Sequence, residues 1–169
     1  MTSRFICAVL SCVALGLTIA TSPVSAAQIV SFKGATPGTI VVRTNERRLY
    51  LVLDEARAIR YPVGVGRVGQ QWAGTTSITA KYIKPAWAAP QEIRRDKPGL
   101  PAVIPGGAPN NPMGAAALTL SDGNYAIHGT NRPDTIGGFV SYGCIRMHNA
   151  DIIDLYERVS VGTTVVVSR

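Results

Sequence analysis

The chain has 169 residues and a formal net charge of +7, from 17 Lys and Arg against 10 Asp and Glu. This length is enough for one domain with a buried core. The basic residues are scattered, with Arg47-Arg48 and Arg94-Arg95 as the only adjacent pairs. Composition therefore gives no polybasic tract for nucleic acid, and we interpret the charge as solubilising.

The first 26 residues have the order of a secretory signal peptide. Arg4 supplies a positive start, residues 5–20 are almost wholly apolar, and Val24-Ser25-Ala26 offers the small residues of a cleavage site. An uncleaved membrane anchor is the alternative, but the apolar run is short for a span of roughly 20 residues. Cleavage after Ala26 would leave an exported protein of the periplasm or cell envelope, without stable membrane insertion and without nucleic acid as a partner.

The remaining chain predicts a short lead-in at residues 27–38 and one domain at residues 39–169. Runs of β-branched or alternating residues predict strands at 39–43, 49–53, 56–63, 77–83, 115–120 and 125–128. Polar turns between the first three strands favour an antiparallel meander. The turn Ser121-Asp122-Gly123-Asn124 suits a hairpin between the last two.

Residues 84–114 contain seven prolines and four glycines. An irregular segment of this length is usually functional in a compact domain, which would make it a lid or the wall of a groove. A solvated excursion without function is the alternative.

One helix is predicted after residue 148, with Asn149 as its cap and Asp151 and Asp154 near its positive N-terminal end. Its apolar stripe consists of Ile152, Leu155, Tyr156 and Val159. Gly162 can end the helix, and residues 163–167 predict a closing strand. The pattern predicts a mainly β domain with one helix.

Cys144 lies in the segment Ser141-Tyr142-Gly143-Cys144-Ile145-Arg146-Met147. Loss of the signal segment, which holds Cys7 and Cys12, would leave Cys144 without a partner for an internal disulfide. His128, in His128-Gly129-Thr130, is a candidate base that takes the thiol proton and returns it to a leaving amine. An inert buried cysteine and a histidine in a capped turn are the structural alternatives.

Arg146 shares a face with Cys144 if the segment is extended. Its guanidinium can then hold a substrate carboxylate or form an internal ion pair. Backbone amides near Gly143 and Cys144 can bind an oxyanion. A metal site built from His128, Cys144 and His148 is disfavoured, because these residues lack the usual number and spacing of zinc ligands.

Together these segments resemble the active-site signature of the bacterial L,D-transpeptidase (YkuD-type) catalytic domain, a His-Gly followed by Ser-His-Gly-Cys and an Arg two residues later. The resemblance covers roughly residues 39–167. It includes Pro85-Ala86-Trp87, Asn111-Pro112-Met113-Gly114, the helix from Asp151 to Tyr156 and the ending from Gly162 to Val167. The sequence departs from the family at Tyr142, where the family usually has His, and at residues 74–77, which lack Thr-Pro-x-Gly.

The resemblance implies an L,D-transpeptidase-like β-sandwich and a peptidoglycan L,D-transpeptidase. Cys144 would attack the peptide stem at the L-centre before the terminal D-alanine and hold the acyl group as a thioester. An amine of another stem, or of an envelope protein, would then accept it. His128 would be the acid/base, and Ser141, Tyr142, Gly143, Arg146 and Gly129 would line the site.

The resemblance also implies that no metal or organic cofactor is needed and that carbapenems acylate the thiol. Two other functions stay open. One is an exported L,D-carboxypeptidase or cysteine amidase that passes the acyl group to water. The other is a catalytically inactive wall-binding module, which Tyr142 favours and the intact Cys144, His128 and Arg146 disfavour.

Overall fold

The computed structural model describes residues 27–121, 123 and 125–169. The predicted signal peptide, and Asp122 and Asn124 of the predicted hairpin turn, lie outside the described residues. The strands are β1 (Gln28–Ser31), β2 (Ile40–Arg43), β3 (Arg48–Val52), β4 (Arg57–Pro62), β5 (Val65–Gly66), β6 (Gly74–Ile83), β7 (Ala116–Leu120), β8 (Ala126–His128), β9 (Phe139–Ser141), β10 (Ile145–Arg146) and β11 (Thr164–Ser168). The helices are α1 (Gln91–Asp96), a 3-10 turn (Pro133–Thr135) and α2 (Asn149–Arg158).

Most of these strands form one hydrogen-bonded sheet in the order β1-β4-β3-β2-β11-β6-β7-β8-β10, while β5 pairs with β9. The predicted meander is confirmed, because β2, β3 and β4 pair antiparallel in succession. The closing strand β11 enters the sheet between β2, to which it is parallel, and β6, to which it is antiparallel.

The long strand β6 belongs to both halves of the sheet, and its register with β7 shifts between Ile78 and Ala80. The two halves share one core with α2. The buried side chains of this core include Ile40, Val42, Leu49, Leu51, Ile59, Tyr61, Leu118, Leu120, Ile127, Ile145, Ile152 and Leu155. The sheet therefore folds over at β6, and the prediction of a mainly β sandwich is confirmed.

Two local features were not predicted, and one local prediction is wrong. The lead-in contains β1, whose four residues pair with the free edge of β4. The proline-rich segment holds the short helix α1, so the helix after the cysteine is not the only one that the described residues form. Asn149 does not cap α2, because it is the first helical residue, and His148 before it makes no side-chain cap.

Polar contacts fix α2 on the sheet. The Tyr61 hydroxyl, in a fully buried side chain, donates to Asp154 Oδ2 at 2.6 Å. At the C-terminal end of the helix, Lys81 Nζ donates to the carbonyls of Tyr156 and Val159, each at 2.6 Å. Carbonyls in the last turn of a helix have no hydrogen-bond donor within the helix. Lys81 supplies the donor for these two. The helix that follows Cys144 is thereby held against β4 and β6.

We predict that Tyr61→Phe lowers the free energy of unfolding by about 1–2 kcal/mol, because it leaves a partly buried carboxylate short of one donor. Tyr50→Phe is the matched control, since that hydroxyl also donates at 2.6 Å, but to the exposed Glu46. Urea unfolding of both variants measures the difference. Equal losses in the two variants would contradict the anchoring role of Tyr61.

Candidate active site

The parallel pairing of β8 with β10 brings two of the predicted site residues, His128 and Arg146, together. In its register Ile145 lies opposite Ile127, and Arg146 lies opposite His128. Successive side chains of a strand point to opposite faces. Because the two isoleucines are buried in the core, His128 and Arg146 point to the other face. Cys144 immediately precedes β10, two residues before Arg146.

The loop that carries Cys144 is held by its own serine. Ser141 Oγ donates to the carbonyl of Cys144 at 2.6 Å and accepts from the Gly143 amide at 3.1 Å. Ser141 is only 1% exposed. The sequence predicted that Ser141 lines the site, but its burial and both hydrogen bonds make it a residue that shapes the loop.

Aromatic residues brace the same loop from the other side. Trp72 Nε1 donates to the Gly143 carbonyl at 2.9 Å, and its ring stacks on Tyr125 with centroids 4.9 Å apart. Gly143 has φ +119°, and a Cβ there would collide with the Tyr125 ring. Only glycine fits. In this conformation its amide is directed at Ser141, whereas the sequence predicted an oxyanion donor.

The buried His128 faces two backbone carbonyls. Its Nδ1 lies 2.6 Å from the Gly129 carbonyl oxygen, and the Pro112 carbonyl also reaches the ring. A carbonyl only accepts hydrogen bonds, so the close contact with Gly129 favours the tautomer with the proton on Nδ1 and the lone pair on Nε2. Burial is the main cause that lowers the pKa of His128 to about 4, the charge of Arg146 adds to it, and the hydrogen bonds to the Gly129 and Pro112 carbonyls oppose it. The ring is therefore neutral at pH 7 and able to accept a proton.

Arg146 carries a charge that the protein does not neutralise. Its Nε is buried without a hydrogen-bond partner, and Arg146 forms no ion pair with any residue that the structure describes. Burial is the main cause that lowers the pKa of Arg146, the charge of Arg132 adds to it, and a thiolate at Cys144 opposes it. Of the two predicted roles, the structure favours binding of an anion over an internal ion pair.

A cavity of about 400 Å³ lies beside Arg146 and Tyr142. Three of its lining side chains are basic: Arg146, Lys97 and Arg132. The apolar side chains that line it are Trp87, Ile93, Leu100, Ile104, Pro112 and Val140. Much of this lining comes from residues 84–114, so the proline-rich segment is the wall of a groove, one of the two roles that its composition predicted.

Tyr142 ties this wall to the cysteine loop. Its hydroxyl donates to Asp96 Oδ2 at 2.5 Å, and Arg67 reaches the same oxygen at 3.1 Å. The Arg67 guanidinium also lies over the Tyr142 ring, 3.9 Å from its centroid. The hydrogen bond to Asp96 raises the pKa of Tyr142. We name these three residues the Tyr142 clasp, which joins the cysteine loop to the end of α1.

Sequence reasoning missed several residues around the site: Arg67, Trp72, Asp96, Tyr125 and the site role of Asn149. For Asn149 the sequence predicted a helix cap instead of a site residue. No sequence pattern pointed to the other four. Gly129 packs against the Asn149 side chain. Among the described residues, no three His, Cys, Asp or Glu side chains converge as metal ligands do, and no helix has the length and apolar character of a membrane span.

Comparison with known proteins adds the family. The sequence model of the L,D-transpeptidase catalytic domain, YkuD, matches residues 37–167. The chain belongs to this L,D-transpeptidase family. A curated relative from Escherichia coli K12, the probable L,D-transpeptidase ErfK/SrfK, is 41% identical over 135 residues, which cover 75% of this chain and 42% of that protein. This chain therefore spans less than half the length of that L,D-transpeptidase.

Solved structures support the L,D-transpeptidase fold. The catalytic domain of the Enterococcus faecium L,D-transpeptidase superposes with a TM-score of 0.60 over 79% of this chain and 98% of that one, at 18% identity. A Brucella melitensis structure, described as a probable carnitine operon oxidoreductase, is 41% identical, with a TM-score of 0.57 over 84% of this chain and 92% of that one. Because that description names a different reaction, we take the chemistry from the family and from the site.

We predict that Tyr142→Phe loosens the groove wall and leaves the fold intact. The clasp lies at the surface, so its loss should change the free energy of unfolding by less than about 1 kcal/mol. Amide hydrogen exchange in residues 91–97 should become faster, as measured by mass spectrometry. Tyr82→Phe, at an exposed tyrosine outside the clasp, is the control. Unchanged exchange in Tyr142→Phe would show that the clasp does not hold α1.

We also predict that His128 makes the protein acid-sensitive. The folded pKa of about 4 lies below the ordinary value of 6.5, so between these values the unfolded state binds a proton that the folded state does not. The stability that the neutral His128 contributes is complete above pH 6.5. It is lost as the pH falls, which lowers the free energy of unfolding by about 2–3 kcal/mol between about pH 7 and about pH 4.5. Urea unfolding at both pH values should show a smaller loss for His128→Gln. Equal losses would mean that His128 titrates normally.

Proposed function

We propose that the protein is a peptidoglycan L,D-transpeptidase in which Cys144 is the nucleophile and His128 the acid/base. The observation that carries the proposal is the β8–β10 register, which puts His128 and Arg146 side by side next to the cysteine loop. A neutral imidazole, a thiol and an uncompensated cation beside a groove are the parts that acyl transfer from a carboxylate-bearing peptide needs.

The reaction would proceed in two transfers. His128 Nε2 takes the proton of the Cys144 thiol, and the sulfur attacks the carbonyl carbon of the L-centre before the terminal D-alanine. The C–N bond then breaks, the imidazolium gives its proton to the departing amine, and a thioester remains. In the second transfer an acceptor amine attacks the thioester carbonyl and gives a proton to His128. The C–S bond then breaks, and the imidazolium returns its proton to the sulfur, which restores the thiol and the neutral imidazole.

The groove beside Arg146 and Tyr142 supports a peptide stem as the donor. Stem peptides carry several carboxylates, and the groove offers the basic side chains of Lys97, Arg132 and Arg146. Of these, Arg146 has the strongest need for an anionic ligand. It is a half-buried guanidinium without a protein partner, and such a group is stabilised when a carboxylate pairs with it. In most Gram-negative walls the donor would be the stem with diaminopimelate at its third position.

The setting of this reaction follows from the sequence. Residues 1–26 would be removed as a signal peptide, and residues 39–169 would act as the catalytic domain in the periplasm or cell envelope. The acceptor would be a second stem, which gives a cross-link, or the amino group of an envelope protein, which tethers that protein to the wall. None of these steps requires a metal or an organic cofactor.

The inactive wall-binding alternative rested on Tyr142. In the structure the hydroxyl and the ring of this residue contact Asp96 and Arg67. The two proposed transfers use Cys144, His128 and Arg146 and need no group from residue 142.

A donor peptide that ends in an L-centre followed by D-alanine, mixed with an amine acceptor, tests the proposal. Mass spectrometry should show release of D-alanine and a ligated product. Cys144→Ala should lower product formation by at least about a thousandfold, because it removes the nucleophile. Ser160→Ala, at an exposed serine after α2, is the control and should keep full activity.

Other products would decide against transfer. A donor shortened by D-alanine but never ligated, at all acceptor concentrations, would show an L,D-carboxypeptidase that uses water. Product formation that survives in Cys144→Ala would exclude this cysteine as the nucleophile.

A further inference from the structure

The side chain of Asn149 is built into the turn that follows His128. Its Oδ1 accepts from the amides of Thr130 and Ala115, each at 3.0 Å, and its Nδ2 donates to the Thr130 carbonyl at 3.0 Å. The carboxamide thus pairs with Thr130 through both its donor and its acceptor. Because hydrogen bonds depend on angle as well as on distance, this pair fixes both the orientation and the position of the turn.

One of these bonds reaches His128 through a single peptide unit. The Thr130 amide and the Gly129 carbonyl belong to the same planar, trans peptide, so they point in opposite directions. Asn149 Oδ1 holds the N–H end of this unit, and the C=O end accepts from His128 Nδ1 at 2.6 Å. The direction of the carbonyl that orients the imidazole is therefore set by Asn149.

The glycines around Asn149 make room for this contact. A Cβ at Gly129 or at Gly114 would collide with Asn149 Oδ1. Any other residue at either position would expel the carboxamide from the turn. This steric requirement explains why glycine follows His128 in this chain.

The cysteine segment and the histidine strand meet at the same place. The Met147 amide donates to the His128 carbonyl at 2.8 Å, and Asn149 follows two residues later. Residues 144–149 thus carry Cys144 and pair with the His128 backbone. Through Asn149 they also hold the peptide whose carbonyl accepts from the His128 ring. Movement of this stretch moves the thiol and the imidazole together.

We propose that Asn149 is a positioning residue for His128: it holds the Gly129–Thr130 peptide so that Nδ1 keeps its proton and Nε2 keeps its lone pair for the thiol. This inference rests on the proposed acid/base role of His128. Asn149 does not line the substrate groove, and it acts through one backbone carbonyl. Backbone and carboxylate acceptors commonly fix a histidine tautomer in this way.

Three variants test the proposal. Asn149→Ala removes all three hydrogen bonds, and Asn149→Asp keeps the two acceptor bonds but loses the donor. Asn45→Ala is the control, because Asn45 is exposed in a turn remote in sequence from the site. Asn149 is itself exposed, so its truncation opens no core cavity and the variants should fold.

The first readout is the rate of thiol acylation by a carbapenem, with its half-saturation concentration measured separately. We expect Asn149→Ala to lower the rate constant about 10–100-fold with little change in half-saturation, as for other residues that orient a functional histidine. Asn149→Asp should recover part of the rate, and Asn45→Ala should match the wild type. A rate within twofold of the wild type in Asn149→Ala would overturn the proposal.

The second readout is ¹⁵N NMR of the His128 ring, which distinguishes the two neutral tautomers. In the wild type the proton should be on Nδ1, and in Asn149→Ala the Nε2-protonated form should become populated. An unchanged tautomer in Asn149→Ala would overturn the proposal even if the rate falls. The NMR readout needs no reaction, so a wild type that fails to acylate would contradict the proposed function while Asn149 is still tested.

Discussion

Two residues of parallel pairing between β8 and β10 decide where the chemistry of this protein can take place. The pairing sets His128 opposite Arg146 and starts β10 directly after Cys144. A shift of one residue would turn His128 or Arg146 into the core, because the side-chain period of a strand is two. The backbone of Arg146 is also paired with Gly64 in both directions, at 2.9 and 2.8 Å. The register is thus held from both sides of a very short strand.

The same pairing creates an electrostatic conflict that serves the proposed reaction. Arg146 is half-buried without a carboxylate partner. Burial is the main cause that lowers the pKa of His128 to about 4, and the charge of Arg146 adds to it. A fully paired arginine would not attract a substrate carboxylate or stabilise a thiolate. The site therefore keeps an available cation, and the histidine beside it is neutral but a weaker base than an ordinary histidine. The rigid surroundings of Ser141, Trp72 and Gly143 hold this arrangement in place.

Local patterns in the sequence were enough for the meander of β2, β3 and β4, for α2, and for the pairing of Cys144 with a histidine base as a hypothesis. Strand β1 could not be predicted, since its four residues become a strand only by adding to the edge of β4. Helix α1 was hidden among prolines that argue against helices. The Tyr142 clasp joins residues far apart along the chain, as does the bond from Trp72 to Gly143, and no local pattern reports such contacts. Asn149 was misassigned because the residue types that cap helices also bond to turns.

The central claim, that Cys144 is a nucleophile activated by His128, is tested most directly by intact-protein mass spectrometry during incubation with a carbapenem. The account predicts one covalent adduct on the wild type and none on Cys144→Ala. It also predicts an adduct that forms at least about 100-fold more slowly on His128→Gln, because general-base catalysis contributes at least that much. A wild type that gains no adduct, or a Cys144→Ala variant that gains the same adduct, would contradict it.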